Sequence, residues 1–228
     1  MSAALPVDDE RPVGPRSSKG TRTRARLMQG AKEVFEENGF ADARISDIAE
    51  RAGVSYGSFY HYFVSKEEVF REVASKGEPD LEPGDLASKN AATAEVDTIE
   101  QLETAISRYL VDYRREARIM RVIEQVSRHD DVLSASRLDR HLRCAEQVAA
   151  CIRRCQRLGL ADPAIEPTTG SILLLSMVLS FAEAWLVRGD LRCSFDEGVA
   201  QLNRLCMGAI GITDRSQPGT GRGGAQAQ

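Results

Sequence analysis

One segment, ISDIAERAGVSYGSFYHYFVSKEEVF at 45–70, constrains the fold more than any other, because it stops and restarts a helix twice. Gly53 is the natural stop for a helix over 45–52, since glycine takes the left-handed conformation that ends helices. Ser55 then offers its hydroxyl to the first amides of a third helix. Val54 and Phe59 lie at the staple positions on either side of that cap. Ser65 with Glu68 reads as a full capping box for a fourth helix, and Val64 with Val69 as a second staple. Two helices joined by a tight Gly-Val-Ser turn form a helix-turn-helix, a unit that presents its second helix to the major groove of DNA.

The same segment is crowded with aromatics: Tyr56, Phe59, Tyr60, Tyr62 and Phe63. Phe59 and Phe63 are four apart and share a helical face, so they can pack on Val34, Phe35, Ile48 and Ala49. Tyr56, Gly57, Tyr60 and His61 then point away, toward solvent or a partner. Hydroxyls and free amides at a helix start suit phosphate oxygens. Upstream, Arg11, Arg16, Lys19, Arg22, Arg24 and Arg26 follow one another with no intervening acid. That is the electrostatic footprint of a nucleic-acid contact, or else a solvated basic tail. Lys66 is a further phosphate candidate. The overall charge of −4 excludes a chain that is basic throughout, but not a local basic patch.

Apart from its ends and one linker the chain has helical period, with no convincing alternating strand and no internal repeat. The expected class is all-α. Residues 1–20 read as a disordered basic arm, 21–76 as the helix-turn-helix domain and 77–97 as a linker rich in Pro, Gly and acid. Residues 98–213 read as a larger helical domain and 214–228 as a disordered tail. Helices are expected over about 23–38, 45–52, 98–115, 116–128, 131–158, 166–188 and 195–212, besides those beginning after Ser55 and Ser65. The N-terminus MSAALPVDDERPVGP has no apolar run of a secretion signal, and five cysteines suit a reducing cytosol, so a cytoplasmic location is expected. The run at 170–187 is apolar enough to suggest a membrane span, but Glu183 and three serines favour a helix buried within protein.

Residues 23–76 resemble the DNA-binding domain of the TetR family of bacterial transcriptional regulators. The resemblance is carried by Ala31, Phe35, Gly39-Phe40, Asp47-Ile48-Ala49, Ala52-Gly53-Val54-Ser55, Gly57 through Phe63, and Lys66-Glu67-Glu68. It implies a homodimer that places two recognition helices in successive major grooves of a palindromic double-stranded operator. DNA contacts are then expected at Ser46, Ser55, Tyr56, Gly57, Ser58, Tyr60, His61 and Lys66. Tyr60, His61 and Lys66 are expected on phosphates, and Tyr56 and Ser58 on base edges. Arg44 departs from the family pattern, which usually has Thr there. Arginine cannot accept the orphan amides of helix two, so Arg44 becomes a phosphate candidate instead.

The resemblance also implies an effector pocket in the second domain and dimerisation through its last two long helices. Tyr109, Tyr113, Met120, Ile123, Met177, Phe181, Glu183 and Trp185 are the candidate ligand residues; the alternative for each is simple core packing. Glu183 stands out, because a carboxylate in an apolar run needs a partner. The apolar helices hint at a hydrophobic or acyl-type effector. His141, Cys144, Cys151 and Cys155 share one helix side, which is a weak metal spacing and a common core pattern. No metal site, cofactor or catalytic constellation is expected, so the chain does not read as an enzyme. The function expected is a ligand-released repressor. An activator with the same head, or a helical enzyme or carrier, are the rival readings.

Overall fold

The computed structural model describes residues 18–81 and 94–212, and among them every regular element is helical. The elements are α1 (Ser18–Asp42), α2 (Ile45–Arg51), α3 (Tyr56–Phe59), α4 (Lys66–Gly77), α5 (Ala94–Arg115), α6 (Ala117–Ser127), α7 (Asp131–Arg157), α8 (Pro167–Ala182) and α9 (Phe195–Ala209). A π-helical segment, Glu183–Arg188, extends α8. Helix positions thus follow the apolar periodicity closely. α1 begins earlier than expected, at Ser18, and its regular part stops where expected, at the non-helical Gly39, beyond which a short continuation reaches Asp42. The arm residues before Ser18 and the tail beyond Ile212 lie outside the described residues.

The described residues pack as two units. One comprises residues up to Pro79 together with Tyr113–Ser136; the other comprises Asp80–Asp112 and the chain from Arg137 onward. This division differs from a single boundary at 77–97, because α6 packs on α1 and α4. Two ion pairs accompany that packing. Lys32 of α1 donates to Glu116, the residue that precedes α6, at 2.5 Å. Arg71 of α4 meets Asp130 at 3.0 Å. Burial opposes ionisation of both carboxyls, yet the hydrogen bonds to them win and hold each below the usual carboxylate range.

The first unit has an aromatic core. The Phe35 ring meets Phe70 edge-on at 4.9 Å and Phe40 at 5.8 Å, and Phe40 meets Phe70 at 4.9 Å. Leu27, Val34, Ile48 and Val69 close the remaining space. α4 begins as its cap predicts, with the Ser65 hydroxyl accepting from the Glu68 amide at 3.1 Å. The reciprocal half of the box is shifted. Glu68 accepts from the Val64 amide rather than from Ser65. Val64 itself is 66% exposed, which leaves little of it to cover the buried Val69 as a staple.

In the second unit α8 packs on α9, and Asn203 of α9 donates to the Ser107 hydroxyl of α5 at 3.1 Å. α8 buries Gly170, Ser171, Leu174, Leu175, Val178 and Ala182. Together with its π-helical extension it makes a 22-residue helix, Pro167–Arg188, long and apolar enough to cross a bilayer by length and composition, and its buried stripe is that of a core helix. The π-helical segment ends at Gly189, and the Asp190 amide closes on the Ala184 carbonyl at 2.9 Å. Trp185, in that segment, lies 5.4 Å from Phe195 in a near-parallel stack and 5.2 Å from Phe181. Its ring also fills the space over Gly198, where an added Cβ would come within 2.2 Å of it. Cys144, Cys151 and Cys155 are buried on α7, and a hydrogen bond to Cys155, together with burial, raises the Cys151 thiol above its ordinary range.

Gly198→Ala forces either the Trp185 ring or α9 to move. It should lower stability by about 1–3 kcal/mol, the usual cost of overpacking. Since Trp185 is the chain's one tryptophan, its fluorescence reports the change directly in chemical denaturation. An unchanged midpoint and emission maximum would refute this packing account.

Candidate nucleic-acid interface

α3 is four residues long, Tyr56–Phe59, and the chain continues from it as a hydrogen-bonded turn. The Tyr62 and Phe63 amides both bond to the Phe59 carbonyl, at 2.9 and 3.1 Å. The α2–α3 connection is equally tight. Val54 N–H reaches the Ala49 carbonyl at 2.9 Å, and Gly53 takes φ +64°, which a side chain rarely tolerates. At the start of α3 the Ser55 hydroxyl accepts from the Ser58 amide at 3.3 Å and pairs with the Ser58 hydroxyl at 2.7 Å.

These constraints sort the aromatics as their spacing predicts. Phe59 and Phe63 are buried, with ring centroids 5.7 Å apart. Tyr56 and Tyr60 are 55% and 46% exposed, and their hydroxyls meet at 3.0 Å. That bond raises the Tyr60 phenol above its ordinary value. Gly57 and His61 are exposed beside them, and Tyr62, whose role the sequence left open, is half-buried. At the start of α2, Arg44 is the residue before the first turn and gives it no side-chain cap. Arg44 is exposed, and its side chain has no hydrogen bond or ion pair among the described residues. Ser46, also exposed, donates to Asp47 at 2.9 Å.

The basic residues divide differently from the sequence expectation. Lys19 and Arg22 are exposed on the first turns of α1, so they belong to a helix and not to an arm. Arg24 instead pairs with Glu72 of α4 and lies 4.7 Å from the Phe63 ring centre. The Arg24 hydrogen bond holds the Glu72 carboxyl below its usual range. Arg26 donates to the Gly53 carbonyl at 2.9 Å and to Ala52, tying α1 to the turn before α3. Arg11 and Arg16 lie outside the described residues.

Lys66 is the largest departure. Its ammonium donates to the carbonyls of Phe40 (2.7 Å), Ala41 (3.2 Å) and Ala43 (3.0 Å), and sits 4.6 Å from the Phe40 ring centre. An ammonium has three N–H donors, and three backbone oxygens match them. In this geometry Lys66 closes the end of α1 onto α4. Sequence reasoning missed this because the acceptors lie 23–26 positions away in the chain.

The candidate ligand residues fall on both units. Tyr113, Met120 and Ile123 are buried in the first unit, and Tyr109 is buried in the second. Phe181 and Trp185 belong to the stack with Phe195. Glu183 accepts from Arg188 at 2.9 Å, which supplies the partner its apolar surroundings demand. Met177 lines an open groove of about 470 Å³ with Leu173, Leu174 and Ile210.

Lys66→Met keeps the stem and deletes the three donated bonds. It should cost about 1–3 kcal/mol of stability and leave the salt dependence of DNA binding as it was. A phosphate contact gives the opposite pattern: unchanged stability and a salt slope shallower by about one unit. Chemical denaturation and DNA titration at several salt concentrations distinguish the two.

Residues 27–73 match the sequence pattern of bacterial regulatory proteins of the tetR family. The regulator UidR of Escherichia coli K12 is 26% identical over 156 residues, which span 68% of this chain and 77% of UidR. Among solved structures, a TetR-family regulator from Mesorhizobium loti superposes with a TM-score of 0.66 at 20% identity, over 85% of this chain and 97% of its own. SmeT, the repressor of the Stenotrophomonas maltophilia multidrug efflux pump SmeDEF, superposes in its triclosan complex with a TM-score of 0.69 at 17% identity, over 90% and 99% of the two chains. The helix-turn-helix geometry, the family match over it and the shared all-helical fold agree: residues 27–73 are a DNA-binding head of the bacterial tetR type, in a chain whose fold is similar to that of TetR-family transcriptional regulators.

Proposed function

We propose that the chain acts in the cytoplasm as a homodimeric repressor that grips a palindromic operator and releases it when a small molecule binds the second unit. The observation that carries this reading is the recognition segment. Tyr56, Gly57, Tyr60 and His61 are exposed together on a turn whose opposite side is fixed by buried Phe59 and Phe63. In this reading Tyr56 and Ser58 touch base edges. Arg44, Ser46, Ser55, Gly57, Tyr60 and His61 meet the sugar-phosphate backbone, which positions the protein without reading sequence. Lys66 serves by holding α4, and through it the interface, in place.

The second unit offers a surface for the partner copy. Ile172 and Leu173 on α8 are 47% and 65% exposed, and Leu205 on α9 is 59% exposed. Large apolar side chains exposed on two adjacent helices mark an interaction surface, and a two-fold pairing of α8 and α9 with their copies buries it in a four-helix arrangement. The groove beside Leu173 and Met177 belongs to the same surface. For the effector, Tyr109, Met177, Phe181, Glu183 and Trp185 are the candidates within the second unit. Their apolar and aromatic character favours a hydrophobic molecule. SmeT, similar in fold, is a repressor and forms a complex with triclosan, and this likeness supports both halves of the reading. Release then follows if the effector binds better to a conformation whose recognition segments are mis-spaced.

Selection of the purified protein against random duplex DNA should enrich an inverted repeat with half-sites about one helical turn, roughly 34–36 Å, apart. Leu173→Glu combined with Leu205→Glu should sediment as a monomer and bind that repeat about a hundredfold more weakly, since the two heads no longer act together. Enrichment of an unrepeated sequence, or a double variant of unchanged size and affinity, would count against the dimeric repressor.

A further inference from the structure

The first unit carries an open groove of about 500 Å³ that the DNA interface does not use. That volume is within the range of small-molecule sites, roughly 300–1,000 Å³. The end of α1, the first turns of α4, and the turn joining α6 to α7 form its walls. Phe40, Val126 and Val132 give it apolar surface. Val132 is 60% exposed, an apolar side chain left open to water at the rim.

The charges in the groove are unbalanced. Arg71 and Asp130 neutralise each other through the Arg71 Nε–H, which reaches both carboxylate oxygens at 3.0 and 3.2 Å. Asp130 also accepts from the Leu133 amide at 2.9 Å, so it is committed to capping α7. With that pair set aside, Glu67 and Asp131 remain. Both are exposed, both line the groove, and neither has a hydrogen bond or ion pair among the described residues. Each lies in the first turn of its helix, where the helix dipole favours an acid. The dipole accounts for either acid alone. It does not account for two unpaired carboxylates converging on one apolar groove from different helices.

We propose that this groove binds a small amphipathic organic cation, its apolar body on Phe40, Val126 and Val132 and its charge beside Glu67 and Asp131. Charge complementarity selects the sign, and apolar contact supplies the surface buried. The site is separate from the effector candidates of the second unit. It joins α4, which Lys66 ties to the end of α1, to the turn at which α7 begins. A cation held there bridges elements that position the helix-turn-helix, so its binding and DNA binding become linked.

The test uses two ions of the same shape and opposite charge, tetraphenylphosphonium and tetraphenylborate, titrated calorimetrically into the full chain. The phosphonium should bind at least about tenfold more tightly than the borate. Glu67→Gln with Asp131→Asn should weaken the phosphonium about tenfold, the combined loss expected for two partly screened charges. Ala41→Trp, which fills the groove from an exposed rim position, should abolish that binding without touching either acid, and it serves if the charge variant fails to fold. No phosphonium binding, equal affinity for the two ions, or phosphonium affinity unchanged in the folded variants would overturn the proposal.

Discussion

A helix of four residues cannot hold itself together, and everything at the DNA-facing end of this chain depends on what holds α3. Isolated helices are marginal below about 12–15 residues. The conformation of Tyr56–Phe63 must therefore come from burial behind it. Burial of Phe59 and Phe63 supplies that hold, and smaller interactions add to it: the Ser55 cap, the Arg26 bonds to the turn, and the Arg24 guanidinium over Phe63. Because burial occupies one side of the segment, the opposite side is left to Tyr56, Gly57, Tyr60 and His61. Exposure of those groups follows from the way the segment is anchored.

The cations around this segment show how charge in a sequence can mislead. A basic run before a helix-turn-helix suggests a strand of phosphate contacts. In the folded chain Arg24 and Arg26 turn inward, one onto Glu72 and one onto the α2–α3 turn, and Lys66 closes the end of α1. Their charge stabilises the scaffold, while Lys19, Arg22, Arg44 and His61 stay exposed. α6 belongs to the same scaffold. Its contacts with α1 and α4, framed by Lys32–Glu116 and Arg71–Asp130, make the unit that carries the helix-turn-helix larger than residues 21–76.

What was legible in the sequence was short-range. The caps at Ser55 and Ser65, the stop at Gly53 and the division of Phe59 and Phe63 from Tyr56 and Tyr60 are decided by residues within about one helical turn. What was not legible came from distant partners. The acceptors of Lys66 lie on another helix end, and Glu116 finds its cation 84 positions away. The π-helical segment at Glu183–Arg188 accompanies Trp185 packing over Gly198, a pairing that helical period alone cannot show. The candidate ligand residues were chosen by helix and by polarity, and the two units divide them, because the sequence does not say that α6 packs with the first unit.

The central claim is that one short segment has an anchoring face and a reading face. It is tested most directly by comparing the DNA sequences selected from a random pool by the parent chain, by Tyr56→Ala and by Phe59→Leu. The account predicts that Phe59→Leu binds every duplex more weakly yet prefers the same bases, while Tyr56→Ala changes the preferred bases at one position of each half-site. A changed preference in Phe59→Leu with an unchanged one in Tyr56→Ala would contradict it.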